Sequence, residues 1–215
     1  MTAADEELTA STYDTVADAY ADDIVGLDAE QSIDVAMIDL FTCLVPAPRH
    51  VLDAGCGAGR MLPHLASKDC DVEGIDLSMG MIARARRDHP AFRLQIGSLT
   101  RLPYADGNFD GVFSWSSTMH NPDEDLDIMI TEMVRVLRPA GLLLAGFQTG
   151  HGMRRVGKGY EALGYDVVLN RWHRTPDTMA GLLEQHGMMI VARMEREAMG
   201  TEGDGQSVLI ARRAS

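Results

Sequence analysis

Three glycines in the stretch VLDAGCGAGR, residues 51–60, are the residues most suited to closing around a ligand. Glycine loses more conformational freedom on folding than any other residue, so three of them at alternate positions need a reason. The usual reasons are a positive φ angle or a ligand that approaches the backbone too closely for a Cβ atom. Two carboxylates accompany them, because Asp53 precedes Gly55 and Asp76 ends the next apolar run. The pattern predicts a ligand-binding turn.

The spacing within this turn separates two classes of cofactor. The dinucleotide fingerprint G-x-G-x-x-G, counted from Gly55, requires glycine or alanine where this chain has Arg60. The Asp53 carboxylate would repel a pyrophosphate but suits a cofactor that carries a cationic group. Asp76 suits both classes, because an acid at the end of the second strand accepts hydrogen bonds from ribose hydroxyls. The turn therefore favours a nucleoside cofactor with a cationic group, and an NAD(P)-dependent oxidoreductase is the alternative.

His120 is the residue best suited to proton transfer. It lies in SSTMHN, directly after a predicted strand, at the edge of the sheet where ligands bind. An imidazole titrates near neutral pH, so it can take a proton from a hydroxyl or amine nucleophile. The alternative is a histidine that only braces the loop.

A cluster of basic residues follows the predicted fifth strand in an otherwise acidic chain. With 19 lysines and arginines against 32 acids, the formal net charge is −13. Basic side chains at the edge where a substrate enters predict contact with an acidic substrate, whereas the alternative is a solvated surface. The cluster comprises His151, Arg154, Arg155, Lys158, His173 and Arg174.

The elements that position these residues alternate between strand and helix. From Ser11 to about Val45 the apolar spacing predicts two helices, with Ser11 or Thr12 as the N-cap of the first. Short apolar strands then alternate with helices, which predicts an α/β fold with a Rossmann-like, mostly parallel sheet covered by helices on both faces. The strands are predicted in RHVLDAG, DVEGIDLS, FRLQIGS, FDGVFSW and GLLLAGF, and the helices in RMLPHLASK, in MGMIARARRDHP and from Pro122, behind Asn121 as cap, to about Leu137.

The last part of the chain departs from this alternation. After Phe147 the sequence is predicted to be irregular until a helix that Thr175 caps and Gly187 ends. MMIVARMERE and QSVLIARRA are predicted as two final strands joined by a glycine-rich turn. No repeat or linker marks a second domain, so we expect one domain over residues 1–215.

Composition limits the expected partners and compartment. The negative charge disfavours nucleic acid and anionic membrane surfaces, which leaves a small molecule as the expected substrate. MTAADEELTASTYD is acidic and polar, unlike a secretory signal, and no stretch is long and apolar enough to span a bilayer. Cys43, Cys56 and Cys70 show no CxxC spacing, so we expect neither a disulfide framework nor a metal site, and a cytoplasmic location.

These motifs, in this order, resemble those of the class I S-adenosylmethionine-dependent methyltransferases. VLDAGCGAGR resembles their glycine loop, VEGIDLS their second-strand motif, and LRPAGLLLAGF their turn into the fifth strand. IGSLTRLPYADGNFDGVFSW is similar to their adenine-reading segment, and YDTVADAYADD to the N-terminal helix that often covers the cofactor. The resemblance runs from about Tyr13 to Phe147 and returns in the last two strands. It implies a seven-stranded sheet with an antiparallel last strand and a helical lid over residues 1–45.

The resemblance also implies the cofactor and its contacts. Many relatives carry an acid after the third strand that accepts a hydrogen bond from the adenine amine, but the matching segment here is Gly97, Ser98 and Leu99. Arg60 would reach the carboxylate of the cofactor, unless it is merely solvated. The implied contacts with S-adenosylmethionine are Tyr13, Tyr20, Asp53, Gly55, Cys56, Gly57, Arg60, Asp76, Leu77, Met81, Gly97, Ser98, Leu99, Trp115 and Ser116.

The expected reaction is an in-line displacement that transfers a methyl group from S-adenosylmethionine to a small-molecule acceptor. Because the positive sulfur already activates the leaving group, alignment of nucleophile and methyl group can supply much of the acceleration. Residues 147–175 would face the substrate, with His120 as the candidate base. A second alternative is a protein that binds the cofactor without turnover, and we expect a monomer or a homodimer.

Overall fold

The computed structural model describes residues 3–157 and 164–214. The helices in these ranges are α1 (Ala3–Asp23), α2 (Ser32–Leu44), α3 (Leu62–Ser67), α4 (Met79–Asp88), α5 (Asp123–Val136) and α6 (Pro176–Gln185). The strands are β1 (His50–Ala54), β2 (Asp71–Asp76), β3 (Arg93–Ile96), β4 (Phe109–Trp115), β5 (Leu137–Thr149), β6 (Gly152–Val156), β7 (Leu169–His173), β8 (Met188–Arg196) and β9 (Gly205–Arg213). Within the described ranges, none of the helices combines the length and the apolar character needed to cross a bilayer.

Seven of the strands form one sheet in the order β3-β2-β1-β4-β5-β9-β8. Strands β1 to β5 run parallel, β9 runs antiparallel to β5, and β8 runs antiparallel to β9. The predicted α/β class and the antiparallel last strand are confirmed. Because β1 pairs with β2 on one side and with β4 on the other, the connections leave β1 in opposite directions, and a crevice opens at the carboxyl ends of β1 and β4.

Helices cover both faces of the sheet, which explains why its strands are apolar throughout. All residues of the central strand β4 are buried. One face is covered by α2, α3 and α4, whose buried residues include Ile38, Phe41, Leu62, Leu65 and Ile82. The other is covered by α5 and α6, whose buried residues include Leu126, Ile130, Met133, Met179 and Leu183.

Helix α1 begins earlier than the sequence analysis predicted. The described helix starts at Ala3, so Ser11 and Thr12 lie inside it and neither is its N-cap. The Ser11 hydroxyl instead donates a hydrogen bond to the carbonyl of Leu8 at 3.1 Å. A serine inside a helix can bond to the preceding turn in this way, so a serine before an apolar stretch does not by itself mark a helix start.

The other predicted helix ends are close to those observed. Pro122 is the N-cap of α5, with an extended ψ of 170°, rather than its first helical residue behind Asn121. The Thr175 side chain caps α6 as predicted, by accepting from the Thr178 amide at 3.1 Å. Gly187 follows α6 with a φ of 75°, in the left-handed region that favours glycine.

The stretch after Phe147 is more regular than predicted. Strands β6 and β7 pair antiparallel in a separate two-stranded sheet, with Arg154 opposite Arg171. Nearly all of β6 is exposed, so no alternation of apolar and polar residues reveals it in the sequence. Lys158, predicted to belong to the basic cluster, lies outside the described residues.

Candidate cofactor and acceptor site

Two of the three loop glycines are required by the protein's own packing. Gly55 has a φ of 84°, and a Cβ atom there would lie 2.2 Å from the Cβ of Ser117. Gly59 has a φ of 82°, and its Cβ would lie 2.9 Å from a methyl group of Leu62. Gly57 differs, because a Cβ there would meet no atom of the described residues within 4 Å. Gly57 therefore borders open space, which leaves its backbone accessible to a ligand.

Asp76 fastens this loop to the start of α4. Its Oδ2 accepts a hydrogen bond from the Gly57 amide at 2.8 Å, and its Oδ1 accepts from the Ser78 amide at 2.9 Å. Burial raises the pKa of Asp76 above its ordinary value, although these backbone hydrogen bonds act in the opposite direction. Each carboxylate oxygen has a second acceptor position, so Asp76 can still accept hydrogen bonds from the two hydroxyls of a ribose.

Asp53 lies beneath the loop rather than on a cavity wall. The residue is only 2% exposed, and its Oδ2 has no hydrogen-bond partner among the described residues. Burial raises the pKa of Asp53 to about 7, although the positive charge of Arg60 acts against this shift. A buried carboxylate oxygen without a partner is costly, and a cationic group bound above the loop would reduce that cost. This orphaned oxygen fits a cofactor with a positive charge.

A cavity at the carboxyl edge of the sheet, beneath α1, brings most of the predicted residues together. Asp53 and Gly97 are the exceptions, and a Cβ atom at Gly97 would lie 2.7 Å from a methyl group of Ile75, so that glycine packs against β2. The predicted residues on the wall are Tyr13, Tyr20, Gly55, Cys56, Gly57, Arg60, Asp76, Leu77, Met81, Ser98, Leu99, Trp115, Ser116 and His120.

Several residues on this wall were not predicted. Most of them directly neighbour a predicted residue in the chain, but Glu6, Thr9 and Ala10 belong to the part of α1 that precedes the predicted start at Ser11. Their spacing from Tyr13 is helical, so extending the Tyr13 face of the helix towards the N-terminus would have found them. The remaining additions are Ala58, Ser78, Thr100, Ser117, Met119, Asn121 and Met129.

Arg60 forms an ion pair with Glu30, whereas the sequence predicts contact with a cofactor carboxylate or with solvent. Its guanidinium lies 2.5 Å from Oε1 of Glu30 and donates to the carbonyl of Gly26 at 2.9 Å. The indole of Trp115 donates to the same Glu30 oxygen at 3.0 Å. Arg60 is therefore not simply solvated, because it holds the segment between α1 and α2 against the glycine loop. It also lies on the cavity wall, so its contact with a cofactor carboxylate stays a prediction.

Helix α1 is held over the cavity by its acidic residues. Oδ1 of Asp14 accepts from the Ser78 hydroxyl at 2.6 Å and from the Gly80 amide at 2.7 Å, both at the start of α4. Further along α4, Arg84 pairs with Asp18 and Asp22 of α1. A carboxylate at a helix N-terminus is favourable because it meets unpaired amides and the positive end of the dipole.

His120 is held in one orientation by a hydrogen bond at each ring nitrogen. Its Nδ1 lies 2.7 Å from the carbonyl oxygen of Asn170, and its Nε2 lies 2.8 Å from the hydroxyl of Tyr13. A carbonyl can only accept, so Nδ1 carries the proton and Nε2 accepts from Tyr13. Burial lowers the pKa of His120 to about 4, so the ring is neutral at physiological pH with its lone pair at Nε2.

A second cavity adjoins the first at His120. Three of its buried polar atoms lack a hydrogen-bond partner among the described residues: Oε1 of Gln148, Nε of Arg171 and Nε2 of Gln206. Buried polar atoms in folded proteins are nearly always paired, so these three side chains have unused hydrogen-bonding capacity beside the cavity. The wall shared by the two cavities comprises Tyr13, Tyr20, Arg60, Trp115, Ser116, Met119 and His120.

The structure divides the predicted basic cluster. Arg154 is exposed and donates two hydrogen bonds to the carboxylate of Asp204, at 2.8 and 2.7 Å. Arg174 is buried and pairs with Asp123. Arg155, by contrast, lines the second cavity and has no ion pair in the described part of the chain. Of the predicted basic residues that the structure describes, Arg155 is therefore the one on a cavity wall.

Comparisons with known proteins agree with this geometry. A family profile described as "Methyltransferase domain" matches residues 51–141. The chain is 31% identical over 122 residues to a malonyl-[acyl-carrier protein] O-methyltransferase of Erwinia billingiae. This alignment covers 57% of this chain and 48% of the relative. The chain is also 30% identical over 180 residues to a demethylmenaquinone methyltransferase of Renibacterium salmoninarum. That alignment covers 81% of this chain and 74% of the relative.

The fold has close counterparts among solved structures. The 1,6-didemethyltoxoflavin-N1-methyltransferase of Burkholderia thailandensis, solved with its substrate and S-adenosylhomocysteine, superposes with a TM-score of 0.73 at 17% identity. The match covers 97% of this chain and 88% of that one.

The chain belongs to the S-adenosylmethionine-dependent methyltransferases of class I. Its cofactor is therefore S-adenosylmethionine, which decides between the two cofactor classes that the glycine loop left open. The open space at Gly57, the position of Asp76 and the orphaned Asp53 oxygen all fit that cofactor. The chain spans about half the length of several curated relatives that it matches, such as 48% of the Erwinia protein.

Proposed function

We propose that this protein transfers a methyl group from S-adenosylmethionine to a small-molecule acceptor bound in the second cavity. The observation that supports this most directly is the shared wall, because it lets a ligand in one cavity touch a ligand in the other. When bound, the cofactor supplies a methyl group activated by a positively charged sulfur. The protein's main task is then to hold the acceptor atom in line with that methyl group.

The residues of the first cavity would bind and orient the cofactor. Asp76 accepts hydrogen bonds from the ribose, and the open backbone at Gly57 allows close approach. Burial raises the pKa of Asp53 to about 7, and a cationic ligand above the loop would favour its ionised form. Helix α1 covers the cavity and excludes water from the site of transfer, which supports the predicted role of residues 1–45 as a lid.

The proton of the acceptor would pass to His120. Its Nε2 lone pair points to the Tyr13 hydroxyl on the wall between the cavities. An acceptor hydroxyl or amine that hydrogen-bonds to Tyr13 can give its proton to the tyrosine oxygen while Tyr13 gives its own to Nε2. The Asn170 carbonyl, bonded to the opposite nitrogen, stabilises the ring as it becomes positive.

The second cavity supports an acceptor that carries polar groups on an otherwise apolar body. Trp115 and Leu169 offer apolar surface, while Gln148, Arg171 and Gln206 place polar side chains on the same wall. Arg155 adds a positive charge that suits an anionic group. The relatives described above are named for three different acceptors, so the family does not fix the acceptor of this chain. We place the reaction in the cytoplasm, in a monomer or homodimer of a single 1–215 domain, without nucleic acid or membrane partners.

A turnover assay tests this function. The protein is incubated with S-adenosylmethionine and a panel of carboxylic acids, phenols, quinols and aromatic nitrogen heterocycles, and S-adenosylhomocysteine is measured by mass spectrometry. We expect product with at least one of these classes and none with the matched variant Asp76→Ala at low cofactor concentration. Tight cofactor binding without acceptor-dependent product for any class would instead indicate a binding protein.

A further inference from the structure

The two cavities determine the direction in which the cofactor lies. The methyl group must face the acceptor, so the methionine end of the cofactor belongs at the wall that both cavities share. Asp76, which would hold the ribose, lines the first cavity and not the second. The adenine would therefore lie among residues of the first cavity that do not border the second: Glu6, Leu77, Ser98, Leu99, Thr100 and Met129.

Glu6 of α1 is the carboxylate at this adenine end. Its Oε1 accepts hydrogen bonds from the Ser98 hydroxyl and, at 3.0 Å, from the Thr100 hydroxyl. These bonds fix the acid against the loop that follows β3. No hydrogen bond to its Oε2 is found among the described residues, so that oxygen is available to a ligand.

Ser98 lacks the charge of the acid that many relatives carry here. Its hydroxyl hydrogen is directed to Glu6, and its oxygen accepts from the Thr100 amide at 3.1 Å and lies 2.7 Å from the Thr100 hydroxyl. Because the Thr100 hydroxyl donates to Glu6, one acceptor position of the uncharged Ser98 oxygen stays open. Of the residues assigned to this end of the cavity, Glu6 carries the carboxylate, and a charged oxygen accepts a hydrogen bond more strongly than a hydroxyl does.

We infer that Glu6 recognises the 6-amino group of the cofactor's adenine, supplying from the N-terminal helix the carboxylate that the loop after β3 lacks. This inference rests on the cofactor of the proposed function and extends it. An adenine amine donates hydrogen bonds, whereas the oxygen at the same position of hypoxanthine only accepts. A carboxylate favours the first and repels the second.

Titration calorimetry with two ligands tests the inference without any acceptor. S-Adenosylhomocysteine is compared with S-inosylhomocysteine, in which oxygen replaces the 6-amino group. We expect the parent protein to prefer the adenosyl ligand by at least about tenfold, since bonds to charged groups are strong. Glu6→Ala should reduce this preference to about twofold or less. Glu6→Gln, whose amide can also donate, should bind the inosyl ligand more tightly than the parent does.

Glu7→Gln is the matched control, because Glu7 is the exposed neighbour on the same helix and should leave the preference unchanged. A Glu6→Ala variant that keeps the full parental preference would overturn the inference while leaving the cofactor assignment intact. If the parent binds neither ligand, the cofactor assignment is wrong and the inference falls with it.

Discussion

At the scale of single residues, the hydrogen bond between Tyr13 and His120 is the contact on which the proposed proton transfer depends. Asn170 holds the ring from the other side, so Nε2 cannot turn away without losing a bond. The lowered pKa of His120, about 4, keeps the ring neutral at physiological pH but makes it a weaker base. Such a base suits a reaction in which alignment supplies most of the acceleration.

Replacing His120 should lower turnover and leave cofactor binding intact. We expect His120→Gln to reduce kcat by about 10²-fold or more, the usual contribution of a general base. The parent's kcat should rise as the pH passes about 4 and level off above it, because Nε2 is then unprotonated. Steady-state kinetics across pH measures kcat, and calorimetry with S-adenosylhomocysteine measures cofactor binding. Tyr13→Phe, which removes only the hydroxyl, should show a similar loss of kcat. If His120→Gln keeps the parental kcat, His120 only stabilises the loop and takes no part in proton transfer.

Asp53 should make stability depend on pH. Burial raises its pKa to about 7, so the native protein keeps a proton that the unfolded chain releases near pH 4. The resulting stability is fully present below about pH 4 and is lost as the pH rises through about 7. Relative to Asp53→Asn, the parent should lose about 3 kcal/mol of unfolding free energy between pH 5 and pH 8. Urea unfolding of both proteins measures this, and parallel pH profiles would contradict it.

Much of the residue-level site could be predicted, and the part that could not has a physical cause. Gly55, Asp76 and His120 lie next to strand ends, where the order of elements alone locates them. Glu30 contacts Arg60, and Asn170 contacts His120, although the partners in each pair lie far apart in the chain. Only tertiary packing brings them together. Local spacing carries no information about such partners.

At the scale of elements, the acidic face of α1 and the start of α4 form the junction that closes the cofactor cavity. The first helix was predicted from Ser11 onward, because an apparent cap there concealed the preceding turns. The β6–β7 pair was missed because its first strand lacks an apolar face. The buried strands and helices of the central sheet were predicted well, since burial on both sides leaves a strong apolar pattern.

Removing Asp14 should loosen α1. Asp14→Ala deletes two hydrogen bonds to the start of α4, and losses of a cap of this kind cost about 0.5–2 kcal/mol. We expect faster amide exchange along α1 and cofactor binding weakened by several-fold, while the central sheet keeps its protection. Asp23→Ala, at an exposed position near the end of the same helix, is the control. Unchanged exchange in α1 after Asp14→Ala would show that other contacts hold the helix.

At the scale of the whole molecule, two adjoining cavities and an uneven distribution of charge define the enzyme that we propose. The formal net charge of −13 repels anions in general, yet Arg155 on β6 faces the acceptor cavity. Its neighbour Arg154 pairs with Asp204. Adjacent residues of a strand point to opposite faces, so the two arginines form a natural comparison.

Arg155 should matter only for the acceptor. With an anionic acceptor identified from the panel, Arg155→Ala is expected to raise KM by roughly tenfold, the effect of losing one charge-assisted contact. Affinity for S-adenosylhomocysteine should not change. Arg154→Ala should leave KM and the affinity for S-adenosylhomocysteine near those of the parent. If the two substitutions raise KM equally, Arg155 acts only through general surface charge.

Binding of S-adenosylmethionine to Asp76→Ala measures whether this carboxylate holds the cofactor. The carboxylate of Asp76 lies on the cavity wall between the glycine loop and the adenine end. Charge-assisted hydrogen bonds to a ribose contribute about 1.5–3 kcal/mol each. The variant should therefore bind the cofactor at least about tenfold more weakly by calorimetry, with Asp76→Asn between it and the parent. A folded Asp76→Ala protein, intact by circular dichroism, that binds S-adenosylmethionine as tightly as the parent would contradict the account.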